Sequence, residues 1–102
     1  MIEKFYSTLD LEELDLTAEE IKLIGPEKLL YFQEKLKDKP SAIAEMEFKK
    51  YAYSILSDKE KKEEYDTMIS YHRAGTNKEL VDTWEKEMLS AIMSATTKAI
   101  FQ

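Results

Sequence analysis

Apolar side chains return every three or four residues along most of this chain, the spacing that places them on one face of a helix. Period-two alternation, which marks a strand, is confined to residues 9–11 and 14–16. Both stretches are short and acidic, and neither composition nor length favours a strand. The pattern therefore predicts an all-α protein.

Six helical segments are predicted. They lie near residues 2–9, 17–24, 26–37, 42–56 and 57–65, and from residue 76 to near the C-terminus. Gly25-Pro26 is expected to separate the second segment from the third, giving two stacked helices or one sharply kinked helix. Gly suits the position after a helix, and Pro suits the first position of the next one. Residues 38–41 contain Pro40 and are expected to form a loop.

Two of these segments carry the longest apolar stripes. In segment 42–56 the stripe consists of Ile43, Met46 or Glu47, Phe48, Ala52, Ile55 and Leu56. In the last segment it consists of Leu80, Val81, Trp84, Met88, Ile92, Ala95 and Ala99. Both stripes predict helix faces that pack against other apolar residues.

Three Ser/Thr-x-x-Glu patterns mark predicted helix starts at Thr17, Ser57 and Thr76. In such a capping box the hydroxyl accepts a hydrogen bond from a free amide of the first turn, and the carboxylate accepts one from the cap residue's own amide. The predicted organisation is a helical domain over residues 1–70, a hinge over 71–75 and a C-terminal amphipathic helix over 76–102. A chain of 102 residues suits one domain with one added element.

Composition adds a strong negative charge to this picture. The chain is 35% charged and 43% hydrophobic, its formal net charge is −6, and it has no Cys. An acidic chain is a poor phosphate binder, so nucleic acid is not the expected partner. The N-terminus lacks a signal-peptide pattern, and no apolar stretch approaches the ~18 residues that cross a bilayer. We expect a cytoplasmic protein with no membrane partner.

Residues suited to catalysis are few. His72 is the only His, and it falls in the predicted hinge. Carboxylates are abundant, but they stand in charge-rich stretches, whereas general acid–base catalysis needs a carboxylate in an apolar pocket. The sequence has no Gly-rich phosphate loop and no metal-binding pair of His residues. We therefore expect a protein that is not an enzyme and that uses neither a cofactor nor a metal.

Three segments together resemble a known helical module. Residues 52–66 read Ala-Tyr-x-x-Leu-Ser-Asp-x-x-Lys-x-x-x-Tyr-Asp, residues 17–22 read Thr-Ala-Glu-Glu-Ile-Lys, and residues 5–11 read Phe-Tyr-Ser-Thr-Leu-Asp-Leu. At these spacings the chain resembles the J-domain of DnaJ-type co-chaperones over residues 3–66. The resemblance implies an antiparallel helical hairpin between residues 20 and 57, flanked by short helices. It also implies a heat-shock chaperone as a possible partner.

The chain departs from the J-domain pattern at the tripeptide through which that family acts. His-Pro-Asp is expected between the two hairpin helices, where this chain has residues 32–36, Phe-Gln-Glu-Lys-Leu. The only Pro nearby, Pro40, is followed by Ser41. In addition, Gly25-Pro26 falls in a helix that the family usually keeps unbroken. The resemblance therefore implies a degenerate J-like adaptor, inhibitor or assembly factor that does not stimulate a chaperone.

Two sets of residues are predicted to bind a partner protein. The last segment carries apolar residues at steps of three and four, as paired helices do, with Trp84, Met88 and Ile92 as its large members. This face packs either on the chain's own core or on a second protein, including a second copy in a homodimer. Tyr31 and Phe32 form the other predicted contact site, provided that the core leaves them exposed.

The predicted function is protein–protein interaction without catalysis, and two alternatives remain open. One is a co-chaperone that stimulates a heat-shock ATPase through an unconventional loop at residues 33–35. The other is a small regulator that binds DNA or a replication or transcription protein. For DNA binding, lysines near Tyr31 and Phe32 would contact phosphates while the aromatic rings stack on bases.

Overall fold

A computed structural model describes residues 2–11 and 15–101. A 3-10 turn over Ile2–Lys4 leads directly into a short helix, α1, over Phe5–Thr8. Four longer helices follow in the described residues: α2 over Ala18–Leu36, α3 over Ala42–Leu56, α4 over Lys59–Ala74 and α5 over Lys78–Ile100. The described residues contain no strand, so the all-α prediction is confirmed. The stretch 9–11 follows α1 as a turn, and Leu14 of the stretch 14–16 lies outside the described residues.

Helices α2 and α3 form an antiparallel hairpin. The Tyr53 hydroxyl, late in α3, bonds the Lys22 carbonyl, early in α2. Further along the pair, Lys49 lies over the ring of Phe32. Later residues of α2 therefore contact earlier residues of α3, which is the geometry of antiparallel helices. Helix α3 lies centrally, because it contacts each of the other four α-helices.

One core joins all five helices. The rings of Phe5 and Tyr65 stack at its centre, 4.5 Å apart and nearly parallel. Buried side chains from every α-helix and from the turn after α1 surround them. They include Ile2, Leu9, Leu11, Ile21, Ala52, Ile55, Leu56, Met68, Ile69, Val81, Met88 and Ile92. Because α5 contributes to the same cluster as α1 and α4, it is part of this core.

Of the two arrangements predicted at Gly25-Pro26, two separate helices are wrong, because one helix runs without interruption from Ala18 to Leu36. Proline has no amide to bond the carbonyl four residues earlier, which here belongs to Lys22. The Tyr53 hydroxyl donates to that carbonyl at 3.0 Å. Its ring lies so close to Gly25 that a Cβ there would overlap it. A side chain from α3 thus satisfies the carbonyl that the proline leaves free.

The capping prediction holds at one helix and fails at two. At α2 the Thr17 hydroxyl accepts from the Glu20 amide at 3.2 Å, and the Glu20 carboxylate accepts from the Thr17 amide at 3.1 Å. At α4 the N-cap is Asp58, because the Ser57 amide still bonds the end of α3. At α5 the N-cap is Asn77, in a left-handed conformation with φ of 48° and without a side-chain cap.

Helix α4 is longer than predicted, and the predicted hinge is mostly helical. The helix continues past Tyr65 to Ala74 and ends where Gly75 adopts a left-handed φ of 69°, which glycine tolerates best. Residues 71–74 therefore belong to α4, and the turn to α5 takes only residues 75–77. Residues 33–35, predicted as an unconventional loop, are likewise helical and form part of the end of α2.

The apolar stripes were predicted correctly except at their outer members. Met46, Ala52, Ile55 and Leu56 of α3 are buried, and Phe48 is half-buried. Ile43, by contrast, is exposed. In α5, Val81, Met88 and Ile92 are buried, whereas Leu80 is 49% exposed. Both exceptions lie in the first turn of their helices.

Candidate protein-docking surface

The outer face of α2 carries large apolar side chains in contact with solvent. We call this face the α2 stripe, and it consists of Leu23, Ile24, Leu30 and Tyr31. Their exposed fractions range from 36% to 79%. The four residues form two rows along the helix, because residues seven apart nearly coincide at 3.6 residues per turn. The buried positions of α2, such as Ile21 and Leu36, lie on the opposite side, towards the rest of the fold.

A column of glutamates runs between the two rows of the α2 stripe. Glu20, Glu27 and Glu34 are spaced seven residues apart, and all three are exposed. Glu20 belongs to the capping box, and Glu34 pairs with Lys37 at 2.7 Å. Glu27 lies at the centre, with one apolar pair before it and the other after it in the chain. The surface is therefore apolar along both edges and acidic along its middle.

The predicted contact residues Tyr31 and Phe32 lie together but play different roles. Their rings meet edge to face, with centroids 5.5 Å apart. Tyr31 points to solvent, with the Lys35 ammonium 5.3 Å from its ring centroid. Phe32 is half-buried beneath the Lys49 ammonium, 3.9 Å away. Tyr31 is therefore available to a partner, whereas Phe32 mainly joins α2 to α3.

Lys49 links three helices at this point. Its ammonium donates to the Thr8 carbonyl at 2.6 Å and to the Thr8 hydroxyl at 3.2 Å, at the end of α1. Partial burial lowers the pKa of Lys49 below its ordinary value, and the nearby Glu45 carboxylate opposes this effect. With those hydrogen bonds and the ring of Phe32 around it, this ammonium positions the helices.

The other predicted contact residues face inwards. Met88 and Ile92 are buried, and the ring of Trp84 lies 6.0 Å from that of Phe5 and 5.7 Å from that of Tyr65. The indole of Trp84 also donates to the Glu64 carboxylate at 2.8 Å. This face of α5 therefore packs on the chain's own core, which is one of the two arrangements predicted for it. Met88 is covered, and Ile92 reaches the surface only as part of the wall of a groove between α1, α3 and α5.

Tyr65 and Asp66 tie the N-terminal helix to α4. The Tyr65 hydroxyl donates to the Ile2 carbonyl at 2.6 Å and accepts from the Phe5 amide at 3.3 Å. Asp66 accepts from the Tyr6 hydroxyl at 2.5 Å. Burial raises the pKa of Tyr65 to about 12. Burial, followed by the bond to Asp66, raises the pKa of Tyr6 as well.

A groove of about 490 Å³ lies between α1, α3 and α5. Ala44, Phe48 and Ile92 supply apolar wall, and Lys49 reaches it already bonded to Thr8. A second apolar surface lies at the end of α5, where Met93, Ile100 and Phe101 are exposed.

Sequence reasoning missed three of the four members of the α2 stripe. The assumed break at Pro26 placed Leu23 and Ile24 in one helix and Leu30 in another. A continuous helix aligns Leu23 with Leu30 and Ile24 with Tyr31. The seven-residue spacing across Gly25-Pro26 was the signal that could have revealed this surface.

Within residues 2–11 and 15–101, no group of three or more His, Cys, Asp or Glu side chains is arranged to hold a metal ion. Over the same ranges, every helix is too short or too polar to cross a membrane.

Comparisons with protein-family models, with curated proteins and with solved structures found no significant match to this chain.

Proposed function

We propose that this chain is a non-catalytic protein-binding module and that the α2 stripe is its binding surface. The observation that carries the proposal is the exposure of four large apolar side chains on one face of a helix whose other face is packed on α3. Large apolar side chains that are exposed together on one surface, among polar residues, are typical of protein interaction sites. Single exposed apolar residues such as Leu80 carry no such implication.

A divergent J-like adaptor, inhibitor or assembly factor is the form of this module that we favour. The antiparallel hairpin of α2 and α3 supports it, as does the use of Tyr65 and Asp66 to close the fold on the first helix. The chain keeps these features while it lacks the His-Pro-Asp tripeptide. A scaffold without the activating residues would bind without stimulating ATP hydrolysis.

The first test is a steady-state ATPase assay with a heat-shock chaperone and this chain at increasing concentration. We expect no acceleration of ATP hydrolysis, because no His-Pro-Asp tripeptide is present. A conventional J-domain protein serves as the positive control. Clear acceleration by this chain would contradict the non-stimulating role, and replacing residues 33–35 would then show whether they are responsible.

The second test is affinity capture from native lysate with three immobilised proteins, the wild type, Leu30→Ser and Leu80→Ser. Leu30 and Leu80 are both exposed leucines on helices, so each substitution leaves the core intact. We expect Leu30→Ser to bind a captured protein at least about tenfold more weakly than the wild type, a loss of about 1.4 kcal/mol of binding free energy. Leu80→Ser should retain it. Equal recovery by all three proteins would exclude the α2 stripe as the binding surface.

A further inference from the structure

We infer that the α2 stripe binds a basic amphipathic helix of another protein. This inference deepens the proposed function and rests on it. It concerns the chemistry of the partner, which follows from the shape of the stripe, the charge at its centre and the repulsion that a second copy of the chain would meet.

The shape of the stripe favours an elongated partner. Leu23 and Leu30 form one edge, and Ile24 and Tyr31 form the other. At 1.5 Å per residue, members of one edge are about 10 Å apart along the helix axis, close to two turns. A partner helix laid along α2 presents residues at the same interval, so its apolar face can contact both pairs.

The charge at the centre of the stripe favours a basic partner. Glu20, Glu27 and Glu34 line the path that a partner helix would follow. The nearby lysines lie away from the middle of this column. Lys28 reaches the carbonyl and carboxylate of Asp10, Lys35 lies over the ring of the stripe residue Tyr31, and Lys37 pairs with Glu34 at the end of the column. The Glu27 carboxylate remains at the centre, and Lys or Arg on a partner would neutralise it while the partner's apolar residues cover the edges.

The same charge disfavours pairing of two copies through this face. An antiparallel pair of α2 helices centred on Glu27 would place that carboxylate against its counterpart and Glu20 against Glu34. Like charges held together at an interface cost free energy and reject the pairing. Each chain also carries a formal net charge of −6, so the approach of two copies is repulsive as a whole. The occupant is therefore a different chain of opposite charge.

The experiment uses two synthetic helical peptides of about 18 residues, long enough for an isolated helix to form. One carries a Leu face flanked by Lys, and the other has Glu in place of every Lys. Binding of each to the full chain is measured by isothermal titration calorimetry at low and moderate salt. We expect the Lys peptide to bind at least about tenfold more tightly than the Glu peptide, with affinity falling as salt rises.

Variants separate the stripe from the general acidity of the chain. Leu30→Ser should weaken binding of the Lys peptide at least about tenfold, and Leu80→Ser should leave that affinity unchanged. Glu27→Lys should shift the preference towards the Glu peptide. Glu79→Lys, an exposed change of equal charge at the start of α5, should alter both affinities only slightly. Circular dichroism of every variant checks that the helices remain.

Each result bears on one proposal. Equal affinity for both peptides, no loss with Leu30→Ser, or equal effects of Glu27→Lys and Glu79→Lys would overturn the inference of a basic partner helix. If lysate capture still depends on Leu30 in that case, the proposed function stands and the partner has other chemistry. If capture does not depend on Leu30, the proposed function itself fails at this surface. A Leu30-dependent dimer in light scattering would instead identify a second copy as the occupant.

Discussion

At the scale of single residues, Gly25, Pro26 and Tyr53 act together. A proline inside a helix usually costs about 3 kcal/mol or more, partly because it removes one backbone hydrogen bond. Here the Tyr53 hydroxyl bonds the Lys22 carbonyl that the proline leaves free, and the missing side chain of Gly25 admits the tyrosine ring. The helix therefore passes through a pair of residues that would ordinarily end it.

This arrangement predicts that Tyr53 and Pro26 are coupled. Tyr53→Phe should lower the free energy of unfolding by about 1 kcal/mol, because the Lys22 carbonyl loses its donor. In a Pro26→Ala background the alanine amide can bond the same carbonyl, so the loss should be clearly smaller. Urea unfolding of the wild type, both single variants and the double variant measures the coupling. Equal losses in the two backgrounds would show that Tyr53 does not replace the missing amide.

At the scale of elements, helix ends were harder to predict than helix interiors. Ser57 and Asp58 are both good capping residues, and sequence alone favoured Ser57 because Glu60 completes its box. In the structure the Ser57 amide bonds the last turn of α3, so the extended backbone needed for a cap falls at Asp58. Its carboxylate accepts from the Lys61 amide at 3.1 Å. One residue thus separates the predicted cap from the observed one.

The packing of α5 leads to a prediction for Trp84. Trp84→Ala should lower the free energy of unfolding by about 2–3 kcal/mol, because a half-buried ring beside Phe5 and Tyr65 is lost. The variant should keep the oligomeric state of the wild type, measured as its apparent molecular mass in solution. Leu80→Ala, at an exposed position of α5, should change stability by no more than about 0.5 kcal/mol. A variant of lower mass than the wild type would instead place Trp84 in an interface between copies.

At the scale of the whole molecule, hydrogen bonds between residues sixty or more apart close the chain on itself. Tyr65 bonds backbone atoms of Ile2 and Phe5, and Tyr6 bonds Asp66. These bonds join the first helix to the fourth, and the stacked ring of Phe5 fills the space between them. The stability of the N-terminal segment therefore depends on residues of α4 that are distant in the sequence.

This closure predicts a loss of stability in alkaline solution. Burial raises the pKa of Tyr65 from its ordinary 10.0 to about 12, so the folded chain keeps a proton that the unfolded chain releases. The contribution of the protonated Tyr65 to the free energy of unfolding is complete below pH 10 and is lost as the pH rises towards 12. The lowered pKa of Lys49 makes stability rise with pH, which opposes the effect of Tyr65. Comparing the wild type with Tyr65→Phe isolates the effect of Tyr65, because Lys49 is present in both. The difference in their free energies of unfolding, measured with urea at several pH values, should shrink across this range. A constant difference would contradict the assignment to Tyr65.

Features set by neighbouring residues could be predicted from the sequence. Apolar periodicity predicted the helical class and the bounds Ala42–Leu56 of α3, and the Thr17 capping box predicted the start of α2. These features depend on side chains within one or two turns of each other, so their cause is visible in the linear order of residues. Tyr31 is exposed, which its prediction as a contact residue required, and the rest of the α2 stripe was missed.

Only the tertiary structure decided whether each helix face is covered and whether α2 continues through Pro26. Tyr53 comes from another helix, so no local rule could show that it satisfies Lys22. The apolar face with Trp84 and Met88 was compatible with a partner or with the chain's own core, and the packing of α5 on α3 and α4 covers it. Periodicity determines that a helix has an apolar face, whereas the long-range arrangement of the helices determines which face is left exposed.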